Sequence, residues 1–333
     1  MIYGNTTTRN QLTSLITKLL NDESQKVYPF ILIAGPAHVG KSSMIDELMA
    51  EMMQWWDLTG GLFGGEVVGA TLSPHDMVKL QDLSDNWWAL KDKNDLAGTS
   101  HSIQIEVESK RQDIRMLDDT MVHNWGIREL QEWLVRSPIG SDKIVVIEAI
   151  ERASGGASNA LLKTLEEPLP HRLMIATTHS IAQLPETIVS RAMVFHMDRV
   201  SDDEMQHWIQ NYLPESSPET RNSLLNLAAG RPGIIWHYDE LGQLDEMLQS
   251  WKSVQSLLST WPLAKLYQQM SAINKSGYLS IITDAILVRA QHGDDQQLYD
   301  ATLDLLSKQE SNVNIENLLF EWCMRIGGSK KEK

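Results

Sequence analysis

The sequence predicts an α/β domain with a parallel sheet, followed by an all-α region. Three observations support this fold class. Up to about residue 200, apolar runs of strand length alternate with helical segments, as in parallel sheets that are covered on both faces. The first of these runs leads into a glycine-bounded turn and then a helix. After residue 200 strand signals disappear, and apolar residues recur at helical spacing.

The first part of the chain alternates helices and buried strands. Apolar residues at helical spacing predict a helix over 8–21 and another over 42–49. Continuous apolar runs bounded by turn signals predict the strands. These strands are expected at 28–34, 143–147, 172–176 and 194–197, with a helix over 159–165.

The segment 55–100 shows no clear period, and we interpret it as an irregular insertion. It contains the pairs Trp55-Trp56 and Trp87-Trp88. Tryptophans can stack on nucleic-acid bases, but large aromatic side chains more often fill a core or an interface, which is the interpretation that we favour. The alternation that follows over 102–107 predicts a strand with one solvated face.

Helices are expected throughout the last part of the chain. Acidic residues in the segment 201–204 are typical of a helix start, and Gly230-Arg231-Pro232-Gly233 indicates a helix stop and restart. Further helical periods cover 244–259, 262–272, 278–291, 296–308 and 314–326.

Composition excludes several classes of protein. The 333 residues include 44 acidic and 29 basic side chains, and the net charge of −15 argues against binding of nucleic acid through a large basic surface. The one cysteine, Cys323, excludes an internal disulfide and a four-cysteine zinc site, so we expect no zinc and a cytoplasmic location. No signal peptide and no membrane-spanning apolar run is evident, so we expect a soluble protein.

The strongest chemical signal is a phosphate-binding loop. Residues 35–42 match the pattern G-x-x-x-x-G-K-[ST] at every fixed position, between a predicted strand and a predicted helix. The glycines allow backbone N–H groups and the helix N-terminus to face a phosphate. Lys41 would contact the β- and γ-phosphates of ATP, and the Ser42 hydroxyl would bind Mg²⁺. The candidate nucleotide-binding residues are Gly35, Pro36, Ala37, His38, Val39, Gly40, Lys41, Ser42 and Ser43.

An ATPase with such a loop also needs acidic residues at the end of a neighbouring strand. Glu148 ends the predicted strand over 143–147 and stands where the carboxylate on the metal side belongs, so Glu148 and Ser42 are the candidate Mg²⁺ ligands. The next position, where a water-activating acid would stand, is Ala149. Glu151 lies nearby, but its spacing alone does not make it a replacement. The sequence therefore supports nucleotide binding better than hydrolysis.

Several of these segments resemble the AAA+ subunits of bacterial DNA polymerase III clamp loaders. Residues 143–154 are similar to the Walker B region of that family, and the string Asn-Ala-Leu-Leu-Lys-Thr-Leu-Glu-Glu-Pro at 159–168 is close to diagnostic for it. Residues 175–178 resemble the family's sensor-1 strand end. Residues 184–192 resemble its Ser-Arg-Cys segment, with Ala192 in place of the cysteine. Residues 126–130 are similar to the family's helix before the Walker B strand, and 312–314 resemble the start of its last collar helix. The resemblance covers most of the chain and is weak over 55–100 and 244–310.

The resemblance implies three domains: an AAA+ P-loop nucleotide-binding domain over 1–198, a helical lid over 199–243 and a helical collar over 244–333. It implies ATP and Mg²⁺ as cofactors and Thr178 as the sensor-1 residue. Arg191 would be an arginine finger, donating its permanently charged guanidinium to ATP bound in a neighbouring motor subunit. The implied partners are the gamma/tau and delta subunits in a hetero-pentamer, the sliding clamp, and primed DNA held by the whole assembly.

Departures from the family pattern favour a delta-prime-like subunit. The gamma/tau motor subunits end the Walker B strand with Asp-Glu, whereas this chain has Glu148-Ala149. The motor subunits also carry an arginine after the lid helix. Here Gly233 stands at that position, and Arg231 is displaced from it. The four-cysteine zinc module of both subunit types is absent, and the segment 55–100 replaces it.

Two alternatives remain open from the sequence. One is a gamma/tau-like motor that hydrolyses ATP despite Ala149. Loss of ATP turnover in Lys41→Ala would identify this alternative. The other is a P-loop phosphotransferase, which requires an acceptor site and a basic lid and leaves the string at 159–168 unexplained.

Overall fold

The computed structural model describes residues 4–21, 27–48, 77–81, 113–116, 122–124, 127–138, 141–153, 155–260, 262–293, 295–309 and 314–328. The chain forms two compact units, Met1–Asp198 and Arg199–Lys333. The tryptophan pairs and the strand predicted over 102–107 lie outside the described residues.

The first unit contains strands and helices in alternation. Its described strands are β1 (Phe30–Ala34), β2 (Met77–Gln81), β3 (Asp113–Met116), β4 (Val122–Asn124), β5 (Lys143–Glu148), β6 (Arg172–Thr178) and β7 (Ala192–His196). Its helices are α1 (Thr6–Asn21), α2 (described over 41–48), α3 (Ile127–Val135), α4 (Gly155–Glu166) and α5 (Glu186–Val189). A 3₁₀ turn, Ile150–Arg152, follows β5.

The described strands of the first unit form one sheet, in the order β4-β3-β2-β5-β6-β1-β7. Strands β2, β5, β6, β1 and β7 are parallel, whereas β3 and β4 pair antiparallel at one side. Because parallel strands end at the same edge of a sheet, the carboxyl ends of β1, β5 and β6 lie together. The register pairs Ala34 of β1 with Thr178 of β6, and Ile147 of β5 with Ala176 of β6.

Apolar residues cover both faces of this sheet. Every residue of β1, β5 and β6 is buried, which explains why these strands appear in the sequence as continuous apolar runs. Alternate residues of β1 belong to opposite layers: Ile31 and Ile33 pack with α1 and α2, whereas Phe30 and Leu32 pack with α3 and α4. The predicted parallel sheet with helices on both faces is confirmed.

The expectation that 55–100 is wholly irregular is wrong at β2. This strand contains Lys79 and Gln81 and is not a continuous apolar run. Its place is fixed by parallel pairing along β5, with Gln81 beside Glu148. A five-residue segment of mixed composition gives no periodic signal in a sequence, and the pairing partner decides its structure.

The second unit is helical in all its described residues outside turns. Its helices are α6 (Asp202–Tyr212), α7 (Pro218–Ala228), α8 (Pro232–Glu240), α9 (Leu244–Thr260), α10 (Leu263–Lys275), α11 (Leu279–His292), α12 (Gln296–Gln309) and α13 (Ile315–Gly328). The predicted acidic helix start is a capping box, in which Ser201 and Glu204 satisfy each other's backbone N–H groups.

One hydrophobic core runs through the second unit, with the side chains of Trp251 and Trp322 almost fully buried in it. The core includes residues from both sides of position 243, such as Ile209 and Leu266. The division of this unit into a lid and a collar stays a prediction. None of the described helices combines the length and the apolar character needed to cross a membrane.

Candidate functional site

The loop between β1 and α2 has the backbone that the motif predicts. A Cβ at residue 35 would collide with the carbonyl oxygen of Met197, so only glycine fits there. Gly40 has a φ of +101°, a conformation that side chains rarely adopt, and His38 is also left-handed with a φ of 65°. The loop therefore owes its path to both glycines, one for close packing and one for its backbone angles.

Lys41 lies at the start of α2 and is 5% exposed. Its Nζ donates hydrogen bonds to the carbonyl oxygens of Gly35 and Pro36, both at 2.7 Å. Burial lowers the pKa of Lys41 to about 8, an effect that the negative charges of Glu151 and Glu148 oppose. The ammonium group is thus held inside the loop and close to two carboxylates.

Glu148 is the last residue of β5 and therefore lies at this edge of the sheet. Glu148 is buried, at 9% exposure, and ends the strand as predicted. Ala149 follows in a left-handed conformation with a φ of 48°, and its N–H donates to Thr177 Oγ1 at 3.0 Å. The methyl group of Ala149 has no hydrogen-bonding atom, so residue 149 offers only backbone chemistry.

Thr178, the predicted sensor-1 residue, ends β6 and is fully buried. Its hydroxyl donates to the Ser180 carbonyl at 3.1 Å and accepts from the Ser180 N–H at 3.2 Å. Its carbonyl accepts a hydrogen bond from the Gly35 N–H at 3.2 Å. Thr178 therefore connects the end of β6 directly to the phosphate-binding loop.

The structure adds Glu151 and His179 to this edge. The Glu151 side chain is 5% exposed, its Oε1 accepts a hydrogen bond from the His179 backbone N–H at 3.1 Å, and His179 Nδ1 also lies 3.1 Å from this oxygen. Burial is the main cause that lowers the pKa of His179, and the charge of Lys41 acts in the same direction. No sequence motif marks His179, and Glu151 stayed unassigned because a three-residue spacing does not reveal where a side chain points.

Arg191 lies at the opposite edge of the sheet. It directly precedes β7, whose residue Ala192 pairs with Phe30 at the start of β1. The phosphate-binding loop begins at the other end of β1, and the five residues of that strand span roughly 16 Å. The structure therefore separates Arg191 from this chain's own loop instead of bringing the two together.

The Arg191 guanidinium is partly exposed and held by neighbours. It donates to Glu166 Oε1 at 2.8 Å, to the Thr187 carbonyl at 2.8 Å and to Ser190 Oγ at 3.4 Å. Its side chain is 34% exposed, and that of Glu166 is 50% exposed. Glu166 belongs to the string at 159–168, so that string supplies the acidic partner of Arg191.

Arg231, which the sequence places near the position of a lid arginine, has a structural environment in the second unit. Its side chain is 8% exposed and forms an ion pair with Asp284 at 2.7 Å. Arg199 also forms an ion pair with Asp284, at 2.7 Å. Burial lowers the pKa of Arg231 to about 10, and Asp284 opposes this change. These contacts hold the start of α8 against α11.

The residues at the loop edge fit a nucleotide with Mg²⁺. Gly35 and Gly40 leave a backbone cradle that a Cβ would obstruct or strain, and Ser42 and Ser43 are exposed at the start of α2. Lys41 and the helix N-terminus supply positive charge, and the buried carboxylate of Glu148 supplies an oxygen ligand of the kind that Mg²⁺ prefers. When bound, the metal would neutralise phosphate charge.

The parallel sheet, the loop and the strand-end carboxylate indicate a P-loop α/β domain, which is followed by helices. Residues 82–201 match the family model described as "DNA polymerase III, delta subunit". A DNA polymerase III subunit gamma from Buchnera aphidicola is 27% identical over 197 residues, covering 59% of this chain and 50% of that protein. A DNA polymerase III subunit delta' from Pseudomonas aeruginosa is 29% identical over 133 residues, covering 40% of each chain.

These sequence matches show that the chain is similar to DNA polymerase III subunits of the delta, gamma and delta' types. The matched part of this chain spans half the length of the gamma relative and 40% of the length of the delta' relative. A solved structure of a gamma-subunit-related protein from Thermotoga maritima is 15% identical, with a TM-score of 0.39, over 97% of this chain and 99% of that one. The sequence matches, and not this structural likeness, support the resemblance that the motifs indicate.

Proposed function

We propose that this chain is a delta-prime-like clamp-loader subunit that binds ATP with Mg²⁺ and supplies Arg191 to a neighbouring motor subunit. The observation that carries the proposal is the position of Arg191 at the sheet edge opposite the chain's own loop. A guanidinium at that edge is partly exposed and can contact a ligand held by another chain. Glu148-Ala149 at the loop edge supports the same division of labour, because this chain lacks the acid that the motor subunits carry at position 149.

The proposed partners follow from this role. The chain would join gamma/tau and delta subunits in a cytoplasmic hetero-pentamer that opens the sliding clamp and places it on primed DNA. Two large apolar side chains of α13, Phe320 and Met324, are more than half exposed, as expected of a helix that packs against other subunits. The net charge of −15 is compatible with this role, because DNA would be held by several chains together.

The experiment is a reconstituted complex of this chain with motor and delta subunits, in which DNA-stimulated ATP turnover is measured. An arginine finger contributes roughly 10³–10⁵ to kcat at the site that it serves, so Arg191→Ala should stop turnover at that site and lower the total rate. Arg191→Lys should also lower it, because an ammonium group lacks the planar fork of the guanidinium.

The matched control is Arg136→Ala, which removes another exposed arginine of the same unit and should leave turnover unchanged. Size-exclusion chromatography of each complex shows whether assembly is intact. Wild-type turnover in an assembled Arg191→Ala complex would contradict the arginine-finger role. Failure of the wild-type chain to join motor and delta subunits would contradict the clamp-loader role itself.

A further inference from the structure

Glu151 is an acidic residue at the nucleotide site to which neither the family match nor the motif gives a role. It lies in the 3₁₀ turn Ile150–Arg152 that directly follows Glu148-Ala149. Ile150 is 1% exposed and anchors the turn in the core on one face of the sheet. The left-handed backbone of Ala149 redirects the chain between β5 and this turn, and the turn lies against the end of β6.

The two carboxylate oxygens of Glu151 have different environments. Oε1 accepts a hydrogen bond from the His179 backbone N–H at 3.1 Å and lies 3.1 Å from His179 Nδ1. Oε2 is buried and has no hydrogen-bond partner among the residues that the structure describes. A buried carboxylate oxygen without a partner is costly in a protein that uses it only for structure. One oxygen of Glu151 is thus fixed, and the other is available to a ligand of the site.

The surroundings identify which site Glu151 serves. His179 follows Thr178, whose carbonyl is bonded to Gly35 of the phosphate-binding loop. Lys41 of the same loop interacts electrostatically with two carboxylates, and Glu151 raises its pKa more than Glu148 does. Glu151 is therefore a neighbour of the loop lysine, on the same edge as Glu148 and the helix N-terminus.

We propose that Glu151 is a further catalytic residue of this chain, whose Oε2 accepts a hydrogen bond from the attacking water during hydrolysis of ATP bound at the chain's own loop. It would fill the role that Ala149 cannot, because an alanine methyl group accepts no hydrogen bond. In this reaction, the water oxygen forms a bond to the γ-phosphorus and the bond from that phosphorus to the β–γ bridging oxygen breaks. The products are ADP and phosphate, and the water proton passes to Glu151 and then to solvent.

This inference rests on the nucleotide binding in the proposed function, but not on Arg191 or on complex formation. The test uses the purified full chain with ATP and Mg²⁺. The rate of ATP hydrolysis per chain is measured together with the Kd of a fluorescent non-hydrolysable ATP analogue. Glu151→Gln keeps an Oε1 acceptor for His179, so the variant should fold, which circular dichroism checks. Glu219→Gln, an exposed residue of the second unit, is the control.

General acid–base groups contribute roughly 10²–10⁴-fold, so Glu151→Gln should lower kcat by roughly 100-fold or more. The Kd of the analogue should stay close to the wild-type value, because the neutral amide replaces a group that acts on water. Adding Ala149→Glu to Glu151→Gln should restore part of the turnover, since it places a carboxylate where the motif normally has one.

Three outcomes would overturn the inference. Wild-type turnover in Glu151→Gln would show that the carboxylate has no catalytic role. A wild-type chain that binds the analogue without turning over ATP would show that Glu151 does not replace the missing acid, while leaving the delta-prime-like function intact. A wild-type chain that does not bind the analogue would contradict the nucleotide binding in the proposed function as well.

Discussion

The two edges of the first unit's sheet differ in chemistry although the same strands connect them. At the edge where β1, β5 and β6 end, called the carboxyl edge below, the side chains of Lys41, Glu148 and Glu151 are nearly completely buried, and their charges act on one another. At the opposite edge, where β1 and β7 begin and which is called the amino edge below, Arg191 and Glu166 form an ion pair that solvent reaches. The buried edge is suited to holding a ligand away from water, and the exposed edge is suited to contact with another protein.

Under the proposed function, this difference explains how one domain would contribute to two nucleotide sites, its own and that of a neighbouring subunit. A parallel sheet sends all its carboxyl ends to one edge, where the loop after β1 and the acid after β5 meet. The segment before β7 is necessarily at the other edge. The arginine finger that we propose at Arg191 would act on a neighbour's nucleotide, because the length of the sheet separates Arg191 from the loop of its own chain.

The largest expected effect concerns Arg231, a basic residue that belongs to neither edge. Removing Asp284 would leave the buried Arg231 guanidinium without its acidic partner, which for a buried pair costs roughly 3 kcal/mol. Asp284→Ala should therefore lower the free energy of unfolding in urea by about that amount. Asp304→Ala, which removes a partly exposed acid paired with Lys308 and Arg325, should lower it by less than about 1 kcal/mol.

Nucleotide affinity should be unaffected by Asp284→Ala at temperatures where the variant is folded. Loss of affinity in the folded variant would assign Arg231 to the nucleotide site and not to the packing of α8 against α11. Equal effects of the two substitutions on unfolding would show that the buried pair contributes no more than an exposed one.

Lys41→Ala tests the carboxyl edge. Hydrogen bonds to charged groups contribute about 1.5–3 kcal/mol, so the Kd for an ATP analogue should rise roughly tenfold to a hundredfold. Lys163→Ala, an exposed lysine of α4, is the matched control and should not change the Kd. Fluorescence titration of the purified chains measures both.

The same variant sharpens the comparison between the edges in the assembled complex. With Arg191 intact, Lys41→Ala should leave ATP turnover by the motor subunits nearly unchanged, whereas Arg191→Ala lowers it. If Lys41→Ala stops turnover as completely as Arg191→Ala, the two edges do not act on separate nucleotides.

Thr178→Val should have a moderate effect at the carboxyl edge. The substitution keeps the shape of the side chain and removes both hydrogen bonds to the Ser180 backbone. Each such bond contributes about 1 kcal/mol, so the free energy of unfolding should fall by about 1–2 kcal/mol in urea titration. A sensor role predicts in addition a lower turnover at saturating ATP, and an unchanged kcat would limit Thr178 to its structural contacts.

Glu166→Gln at the amino edge should have the smallest effect on stability. Exposed ion pairs contribute about 0–1 kcal/mol, and the amide can still accept a hydrogen bond from Arg191. Thermal unfolding should therefore shift little, while turnover of the assembled complex reports whether Glu166 orients Arg191. A loss of stability above about 1 kcal/mol would show that this edge is more rigid than its exposure indicates.

Much of the fold and part of the site could be predicted from local sequence. Strands β1, β5 and β6 are buried on both faces, so each is a continuous apolar run that needs no knowledge of its neighbours. Strand β2 escaped prediction because its five residues are of mixed polarity and pair with a strand more than 60 positions away. Glu151 and His179 escaped for a similar reason, since their contact joins two separate strand ends.

The phosphate-binding loop, the acid at the end of β5 and the absence of an acid at position 149 follow from the amino-acid sequence alone. These features are local, because a glycine pattern and a residue's place after a strand need only a few neighbouring positions. The tertiary structure was needed to place Arg191 at the far edge, to pair Arg231 with Asp284 and to bring Glu151 next to His179 at the edge of the phosphate-binding loop. Strand order and register settle such relations, because they bring together or separate residues whose distance along the chain says nothing about their distance in space.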